Sequence, residues 1–294
     1  MRILRRNPMY EANRSTAQLQ SITSRLVRAQ DEAITGIRVR APSDAPGRWS
    51  QIHALQSRSQ DEEVWQTGAD SAQTLLDTAD GTLSSAEGAL QRALERAVQL
   101  SSESYSTEDR AQAADEIGLI RDELLGYANT KVGDRFLFAG DAYDGAAFDV
   151  TGVYQGSVAT ASIRIGPDEA VDSTFDGSDV FQGSVDTFQV LADLEAALTA
   201  DDPDAVAATI GGLESAHAQV VASRSRIGFR QLQVDDARVV SMSLSAVING
   251  QLSAEVGADP ASAYTELAAL QVSYQATLQV TAANAGSHLF DLLR

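Results

Sequence analysis

Three histidines, His53, His217 and His288, are the first candidates for acid–base or metal chemistry in this chain. A zinc site or a catalytic triad that is visible in sequence usually shows a partner at a short helical spacing, and none of the three has an HxxxH or HxxE neighbour. The chain contains no cysteine, so a thiolate nucleophile or ligand is excluded. Neither a glycine-rich phosphate loop nor a GxSxG nucleophile elbow occurs. We therefore expect no catalytic residues, no metal and no cofactor, and a protein that is not an enzyme.

Two Asp-Gly stretches, DAYDGAAFD (141–149) and DSTFDGSD (172–179), could supply carboxylates to calcium. Neither has the Asp-x-Asp-x-Asp-Gly order or a Glu at the twelfth position of a calcium loop. Asp and Gly are also the residues that tight β connections require, and we favour that interpretation. A secreted module that binds a ligand or calcium through this region is the alternative from a different functional class.

The acidic composition argues against nucleic acid as a partner. The chain has 41 acidic and 22 basic residues, a formal net charge of -19, and such a surface repels phosphate backbones. Aromatic residues make up only 6% of the 294 residues, which favours thin helix–helix seams built from Ala, Leu, Val and Ile. There is no apolar run of signal-peptide length and no run of ~20 apolar residues that would span a membrane. We therefore expect no membrane insertion.

Apolar residues at alternating steps of three and four predict long amphipathic helices. One helix covers residues 9–35, and the last helix begins at about Ala261. From Trp65 to Leu100 the pattern is an unbroken heptad series. A helix from about residue 46 to 103 would be roughly 85 Å long at ~1.5 Å per residue. We expect the rod seam of this helix at Trp65, Leu76, Leu83, Leu90 and Leu100. Alanines between these positions would allow a facing helix to approach closely.

A linker separates the first two helices. Gly36 ends the first helix, and the alternating apolar and arginine residues that follow indicate an extended chain. Pro42 disfavours helix immediately before it, and Ser43 or Asp44 can cap the next helix with Pro46 in its first turn. The linker motif consists of Gly36, Arg38, Pro42, Ser43, Asp44 and Pro46.

Further along the chain, Ser106 and Asp109 have the spacing of a capping box, which predicts a helix that continues to about Asn129 and folds back beside the first rod. Residues 134–184 are rich in Gly, Asp, Val and Phe with short alternating runs, and they predict a small β region. Helical pattern then returns, with Asp202 as the cap of another long helix.

The order of these patterns predicts a mainly α fold with a small β insert. Long antiparallel helical rods of coiled-coil type would come from both ends of the chain, with a β-hairpin and a β-rich domain in the middle. We divide the chain into terminal amphipathic helices (1–40 and 256–294), a long-helix rod domain (41–140 and 185–255) and a small β-rich outer domain (141–184). The apolar stripes of the terminal helices must be buried against each other or against neighbouring molecules.

Several segments resemble the flagellin-like axial proteins of bacterial flagella. GIRVRAPSDAP looks like the family's linker, Gly-x-Arg-(x)n-Pro-Ser-Asp-Asp-Pro, with Ala45 in place of the second acidic residue. RDELLGYANTKVGDRFLFAG is similar to the stretch that leads into a β-hairpin, and AAF followed by VYQGS matches the pattern after it, with Ala147 where a proline is usual. SRSRIGFRQLQVDDA and ELAALQVSYQATLQVTAANAGSHLFDLL look like the C-terminal blocks, and the latter favours the members found at the hook–filament junction over flagellin.

The resemblance covers nearly the whole chain and implies a structural protein of the bacterial flagellum. It implies an adapter that joins the hook, through another hook-associated protein, to the flagellin filament, with copies of the same chain arranged in a ring. It also implies an export chaperone at the C-terminal helix. Export would use the flagellar type III apparatus without a cleaved signal peptide, and the location would be extracellular. The alternative within the same family is a short flagellin, a filament subunit.

The resemblance further implies that the terminal helices form an inner layer that orders on assembly, while the linker motif leads to an outer layer of long helices. The residues expected at this assembly interface are Leu19, Ile22, Leu26, Leu267, Leu270, Tyr274, Leu278, Leu289 and Leu292.

Overall fold

A computed structural model describes the backbone of residues 8–292 and the side chains of residues 13–283. The elements in chain order are α1 (Pro8–Thr35), α2 (Trp49–Leu100), α3 (Thr107–Ala128), β1 (Lys131–Val132), β2 (Arg135–Phe136), β3 (Ser162–Arg164), β4 (Ala170–Asp172), α4 (Gly177–Phe181), α5 (Thr187–Thr199), α6 (Pro203–Val256) and α7 (Pro260–Leu292). The predicted fold, mainly helical with a small β region, is confirmed.

The β region consists of two separate antiparallel hairpins. β1 pairs with β2, and β3 pairs with β4 in the register Ile163↔Val171. Each strand has only two or three residues, so most of the segment predicted to be β-rich is turn and loop. The short helix α4 also lies within it.

The chain divides into two compact units. The first comprises the N-terminal residues up to Gln60 and the C-terminal residues from Ala246, and the second is Asp61–Ser245. The long helices α2 and α6 each contribute to both units. The three-part division at residues 40, 140, 184 and 255 stays a prediction.

In the Asp61–Ser245 unit, α3 runs back along α2, as the sequence predicts. Arg92 of α2 binds Glu123 at 2.6 Å and Arg96 binds Glu116 at 2.8 Å, the order expected of antiparallel neighbours. The predicted capping box at the start of α3 is present: the Ser106 hydroxyl accepts the N–H of Asp109, whose carboxylate accepts the N–H of Ser106. These two hydrogen bonds satisfy donors that the first turn would otherwise leave free.

α6 lies beside α2 in the same unit and runs in the opposite direction. Arg224 of α6 binds both Asp80 and Glu87, at 2.8 and 3.0 Å, whereas Arg238, further along α6, binds Asp70 at 3.1 Å. The predicted start of α6 is also confirmed, because the Asp202 carboxylate accepts two backbone N–H groups of its first turn. Buried Ala and Leu side chains fill the space between the helices.

The core of the β region is aromatic. Phe148 and Phe181 pack edge to face with ring centroids 5.7 Å apart, and Phe138 meets Phe181 in the same way at 5.6 Å. Phe175 and Phe188 join this cluster. Offset and edge-to-face pairs of this kind stabilise a core beyond the burial of their area.

In the unit that contains both ends of the chain, α1 packs against α7. Val39, Ala45 and Ile52 form a second, small core, against which Trp49 and Leu252 pack. Gly36 ends α1 as predicted, with φ of 69°, a left-handed conformation that glycine adopts without strain. No helix in the described part of the chain is long and apolar enough to span a membrane.

Candidate assembly interface

The contact between α1 and α7 is a narrow seam with heptad spacing. From α1 the seam contains Leu19, Ile22, Leu26 and Ala29, and from α7 it contains Ala263, Leu267, Leu270, Tyr274, Thr277 and Thr281. Only Ala29, Ala263 and Leu270 are buried, at 4–5% exposure; the other members of the seam are half-buried. A seam of two helices leaves most side chains in contact with solvent on one side, which limits the apolar area that it buries.

Most of the residues expected at the assembly interface lie in this seam. The exception among the described side chains is Leu278, which is 42% exposed and lies beside the seam. Thr277 and Thr281 occupy the seam positions in its place, and their hydroxyls donate to the carbonyls of Ser273 and Thr277, one turn earlier. Leu289 and Leu292 are outside the described side chains.

Apolar side chains also point away from the seam. Val27 and Ile34 of α1 and Val272 and Val280 of α7 are each more than half exposed. Single exposed apolar residues are common, but several on two paired helices form a surface that contact with another molecule would cover. The helix pair therefore leaves these apolar side chains uncovered after its own seam has formed.

The linker after α1 is held by the connection between α6 and α7. Ile37 forms an antiparallel bridge with Gly257, and the backbone N–H groups of Arg38 and Val39 donate to the carbonyl of Val256. The Ala258 N–H donates in return to the Gly36 carbonyl, at 2.8 Å. The extended conformation predicted for the linker is therefore present, and its hydrogen-bonding partner comes from the far end of the sequence.

Asp44 does not cap α2, contrary to the prediction that Ser43 or Asp44 would do so. Its carboxylate accepts the N–H groups of Arg40 and Ala41, at 3.1 and 3.0 Å. These backbone hydrogen bonds, that of Arg40 first, lower the pKa of Asp44 below its usual value. The carboxylate thus closes the linker turn, and α2 begins at Trp49, three residues later than the predicted start.

Arg40, which the linker motif leaves out, is the arginine that ties the linker to α1. Its guanidinium contacts the Asp31 carboxylate at 3.3 Å and donates to the Asp31 carbonyl and the Thr35 hydroxyl. Arg38 is exposed and forms no ion pair with a described residue. Pro42, Ser43 and Pro46 are exposed as well. The alternation of apolar and basic residues places both arginines on the face opposite Val39, and it does not distinguish Arg40 from Arg38.

The residues of the predicted rod seam lie along α2 in the core. Leu76, Leu83 and Leu90 are fully buried and Leu100 is nearly so, whereas Trp65 is half-buried at the edge of a surface groove. Alanines 72, 79, 86 and 93 are buried between them without solvent exposure. This arrangement permits close helix approach and offers no polar group for catalysis.

In the two Asp-Gly stretches, 141–149 and 172–179, carboxylates stabilise turns. Asp149 accepts the N–H groups of Thr151 and Val153, and the hydrogen bond from the Thr151 hydroxyl is the largest cause of its lowered pKa. Asp176 caps α4 by accepting the N–H of Ser178 at 2.9 Å. Among the described residues, no three His, Cys, Asp or Glu side chains are grouped so that they could hold a metal ion.

His217 Nε2 is 3.9 Å from Glu87 Oε1, His53 is exposed on α2, and His288 falls outside the described side chains.

Comparison with known proteins gives matches in both sequence and structure. Residues 7–142 match the family model of the bacterial flagellin N-terminal helical region. The flagellar hook-associated protein 3 of Salmonella typhimurium is 30% identical over 159 residues, 53% of this chain and 50% of the relative. The protein of the same name from Escherichia coli is 31% identical over 137 residues, 46% of this chain and 43% of the relative. The chain thus spans about half the length of the curated relatives that it matches.

Solved structures of similar fold cover a larger share of the chain. A putative flagellar hook-associated protein from Vibrio parahaemolyticus superposes with a TM-score of 0.67 at 18% identity, over 72% of this chain and 99% of that one. FlgL from Bacillus cereus gives a TM-score of 0.60 at 18% identity, over 68% of this chain and 98% of that one. At these identities the structures show a shared fold.

The helix order and the match of residues 7–142 make this chain similar to flagellin-like proteins. Within that class, the chain is similar to flagellar hook-associated protein 3. The sequence motifs predict this similarity, and the comparisons confirm it.

Proposed function

We propose that this chain is a non-enzymatic structural protein of the bacterial flagellum, an adapter that joins the hook to the flagellin filament. In this role it would contact another hook-associated protein on the hook side, flagellin on the filament side and copies of itself in a ring. The observation that carries the proposal is the helix pair α1–α7 with its remaining exposed apolar surface, in a chain similar to hook-associated protein 3.

The physical basis of this function is helix packing between subunits. The α1–α7 seam buries few side chains completely, so the isolated pair gains little from burial, and covering its outer apolar faces in an assembly would add stability. The long α2 helix buries alanines along its length, which permits the close helix packing of a rod. The terminal parts 1–40 and 256–294 would form the inner layer of the assembly.

Export and location belong to the same proposal. The chain would leave the cell through the flagellar type III apparatus without a cleaved signal peptide, with a chaperone bound to the C-terminal helix until export, and would reside in the extracellular flagellum. An apolar helix face that is exposed before assembly is the kind of surface that a chaperone covers.

Deletion of the gene, followed by electron microscopy of the cells and an immunoblot of the medium for flagellin, tests the proposed function. We expect hooks without filaments and flagellin monomers in the medium, because subunits would still pass through the channel with nothing to hold them. Normal filaments would rule out the junction function. Expression of the wild-type gene from a plasmid is the control and should restore the filaments.

The second candidate is a short flagellin, since the match over residues 7–142 is to a flagellin region. Bare hooks without flagellin in the medium would favour it. Extensive polymerisation of the purified chain on filament seeds would favour it too, whereas a junction protein should add only a limited layer.

A further inference from the structure

An apolar groove with an acidic rim lies between α2, α6 and the β3–β4 hairpin in the Asp61–Ser245 unit. It has a volume of about 480 Å³ and is lined by the apolar residues Trp65, Ile165, Pro167, Phe229, Leu232 and Leu244, among others. Phe229 is 72% and Leu232 62% exposed, although both belong to the long helix α6. Large apolar side chains left open to solvent beside a groove mark a contact surface. We call this surface the acidic groove.

Three carboxylates line the acidic groove: Glu62, Glu169 and Asp236. Glu62 is only 3% exposed and accepts a hydrogen bond from the Ser241 hydroxyl at 2.6 Å, whereas Glu169 accepts one from Gln233. Asp236 is exposed and has no ion-pair partner among the described residues. No lysine or arginine is among the described residues that line the groove. A partner must therefore bring apolar side chains together with positive charge.

Few surfaces of this acidic chain meet that requirement. In the described part of the chain, most arginines form an ion pair with Asp or Glu. Outside the β1–β2 hairpin, the arginines without an ion pair lie one by one on different parts of the chain. These are Arg14, Arg38, Arg58 and Arg164.

The β1–β2 hairpin carries two unpaired cations together. Lys131 Nζ lies 4.1 Å from the centre of the Phe136 ring, and the Arg135 guanidinium lies 4.7 Å from that of Tyr143. Both cations are exposed, both rings are half-buried, and Asp134 in the turn is the one carboxylate of the hairpin. The hairpin itself therefore carries a net positive charge beside two aromatic rings, while the exposed Asp141 and Asp144 flank Tyr143 outside it.

We propose that the acidic groove binds the β1–β2 hairpin of a second copy of this chain. Lys131 and Arg135 would meet Glu169 and Asp236, and the aromatic rings would cover the exposed side chains around Phe229. The inference rests on the proposed function, in which copies of this chain form a ring and must therefore contact one another. Because hairpin and groove are different surfaces of one unit, the contact is heterologous and passes from copy to copy, as a ring requires.

Cross-linking tests this contact directly, because the chain has no cysteine and every introduced thiol is unique. Arg135→Cys and Asp236→Cys are made as separate full-length variants and co-expressed in cells that carry flagella. Isolated flagella are treated with a short bismaleimide and blotted for the protein. We expect a cross-linked dimer only when both variants are present, and a ladder of larger species from a chain that carries both substitutions.

Leu119→Cys, paired with Arg135→Cys, is the matched control. Leu119 is 71% exposed on α3 and does not line the acidic groove, so this pair should give no more than the background dimer. Absence of the Arg135–Asp236 dimer from flagella that carry filaments, or an equal yield from the control pair, would overturn the proposal.

Charge reversal tests the electrostatic part of the proposed contact between the acidic groove and the β1–β2 hairpin. Arg135→Glu and Asp236→Arg should each reduce the yield of a cross-link placed at Lys131→Cys and Glu169→Cys by about tenfold, and both together should restore most of it. A yield that does not change in any of these variants would contradict the proposal. These outcomes concern contacts between copies, whereas the deletion phenotype concerns what the assembly joins, so either idea can fail without the other.

Discussion

At the scale of single residues, Arg110 fixes the turn between α2 and α3. Its side chain is nearly buried, and it donates to the carbonyls of Leu100 and Ser102 at 3.2 and 2.8 Å and to the Asp201 carboxylate. A guanidinium can satisfy three acceptors at once because its five N–H donors lie in one rigid plane. One arginine thus connects the end of α2, the start of α3 and the turn before α6.

Arg110→Ala should destabilise the protein, because two carbonyls of this turn lose charge-assisted hydrogen bonds. We expect a loss of about 2 to 3 kcal/mol in the free energy of unfolding, measured by urea denaturation. Arg226→Ala is the control, since its ion pair with Asp179 is half exposed on both sides and should contribute less than about 1 kcal/mol. Equal effects of the two substitutions would argue against a structural role for the buried arginine.

Tyr154 should make the free energy of unfolding depend on pH in the alkaline range. Burial, and next the nearby Asp176 carboxylate, raise its pKa from 10.0 to about 12. The folded state therefore binds the phenol proton more tightly than the unfolded state does. This contribution to stability is fully present below about pH 10 and is lost as the pH rises through about 12.

The measurement for Tyr154 is the urea midpoint at several pH values across that window. Tyr154→Phe removes the titrating group and should flatten the alkaline fall in stability, although it also loses the hydrogen bond from the hydroxyl to the Ser157 carbonyl. Tyr264→Phe, at a side chain that is 60% exposed, is the matched control for the loss of a phenol. A slope that Tyr154→Phe does not change would disprove the assignment.

At the scale of elements, the close approach of the β3–β4 hairpin to α2 depends on Gly68. A Cβ atom at this position would lie 2.4 Å from the carbonyl oxygen of Arg164, closer than any real contact. Gly81, in the same helix, has open space around it. The two glycines therefore separate the effect of helix propensity from that of packing.

Gly81→Ala should stabilise the protein by about 0.5 to 1 kcal/mol, because alanine loses less backbone entropy than glycine in a helix. Gly68→Ala should destabilise it by about 1 to 3 kcal/mol despite the same gain in propensity, because the hairpin must move away. Urea denaturation of both variants measures the difference. If Gly68→Ala were as stable as Gly81→Ala, the hairpin would not be packed against α2 as described.

The seam between α1 and α7 allows a similar comparison on a single helix. Leu270→Asp places a carboxylate in the seam and should reduce helix content, seen by circular dichroism, and abolish filament attachment in cells. Val272→Asp, at a position that is 67% exposed on the same helix, should retain the helix content. A loss of filaments in this second variant as well would identify the outer face of α7 as an assembly surface in its own right.

Much of the element order can be predicted from this sequence because α2 has regular heptads and α3 has its complete capping box, both of which are local signals. Leu278 shows the limit of local signals. An apolar stripe favours leucine and predicts Leu278 in the seam. Thr277 and Thr281 lie there instead, because the packing of α1 determines which face of α7 is covered. Asp44 likewise looks like a helix cap, but closer N–H donors in its own turn bind it first. The acidic groove could not be predicted, since exposure of Phe229 depends on the neighbours of α6.

At the scale of the whole molecule, the two-unit division predicts that the rod can fold without the terminal helices. A chain that lacks residues 1–35 and 260–294 should retain cooperative unfolding in urea, because the core of the Asp61–Ser245 unit includes none of them. The same chain should fail to restore filaments in a deletion strain. Loss of all cooperative unfolding in this remnant would contradict the division, and the full-length chain is the control for both measurements.

The alanine-rich core of the rod has a consequence for folding. Buried heptads of Ala and Leu look alike from one turn to the next, so α6 could slide along α2 by seven residues and still bury apolar side chains. The contact between Ser241 and Glu62 is specific to one alignment, because the residues one heptad away from Glu62 are Leu55 and Ala69. Arg224 is less selective, since its partners Asp80 and Glu87 are themselves seven residues apart. The surface contacts individually add little stability, whereas the buried hydrogen bond between Ser241 and Glu62 distinguishes one alignment of a rod whose core is nearly uniform.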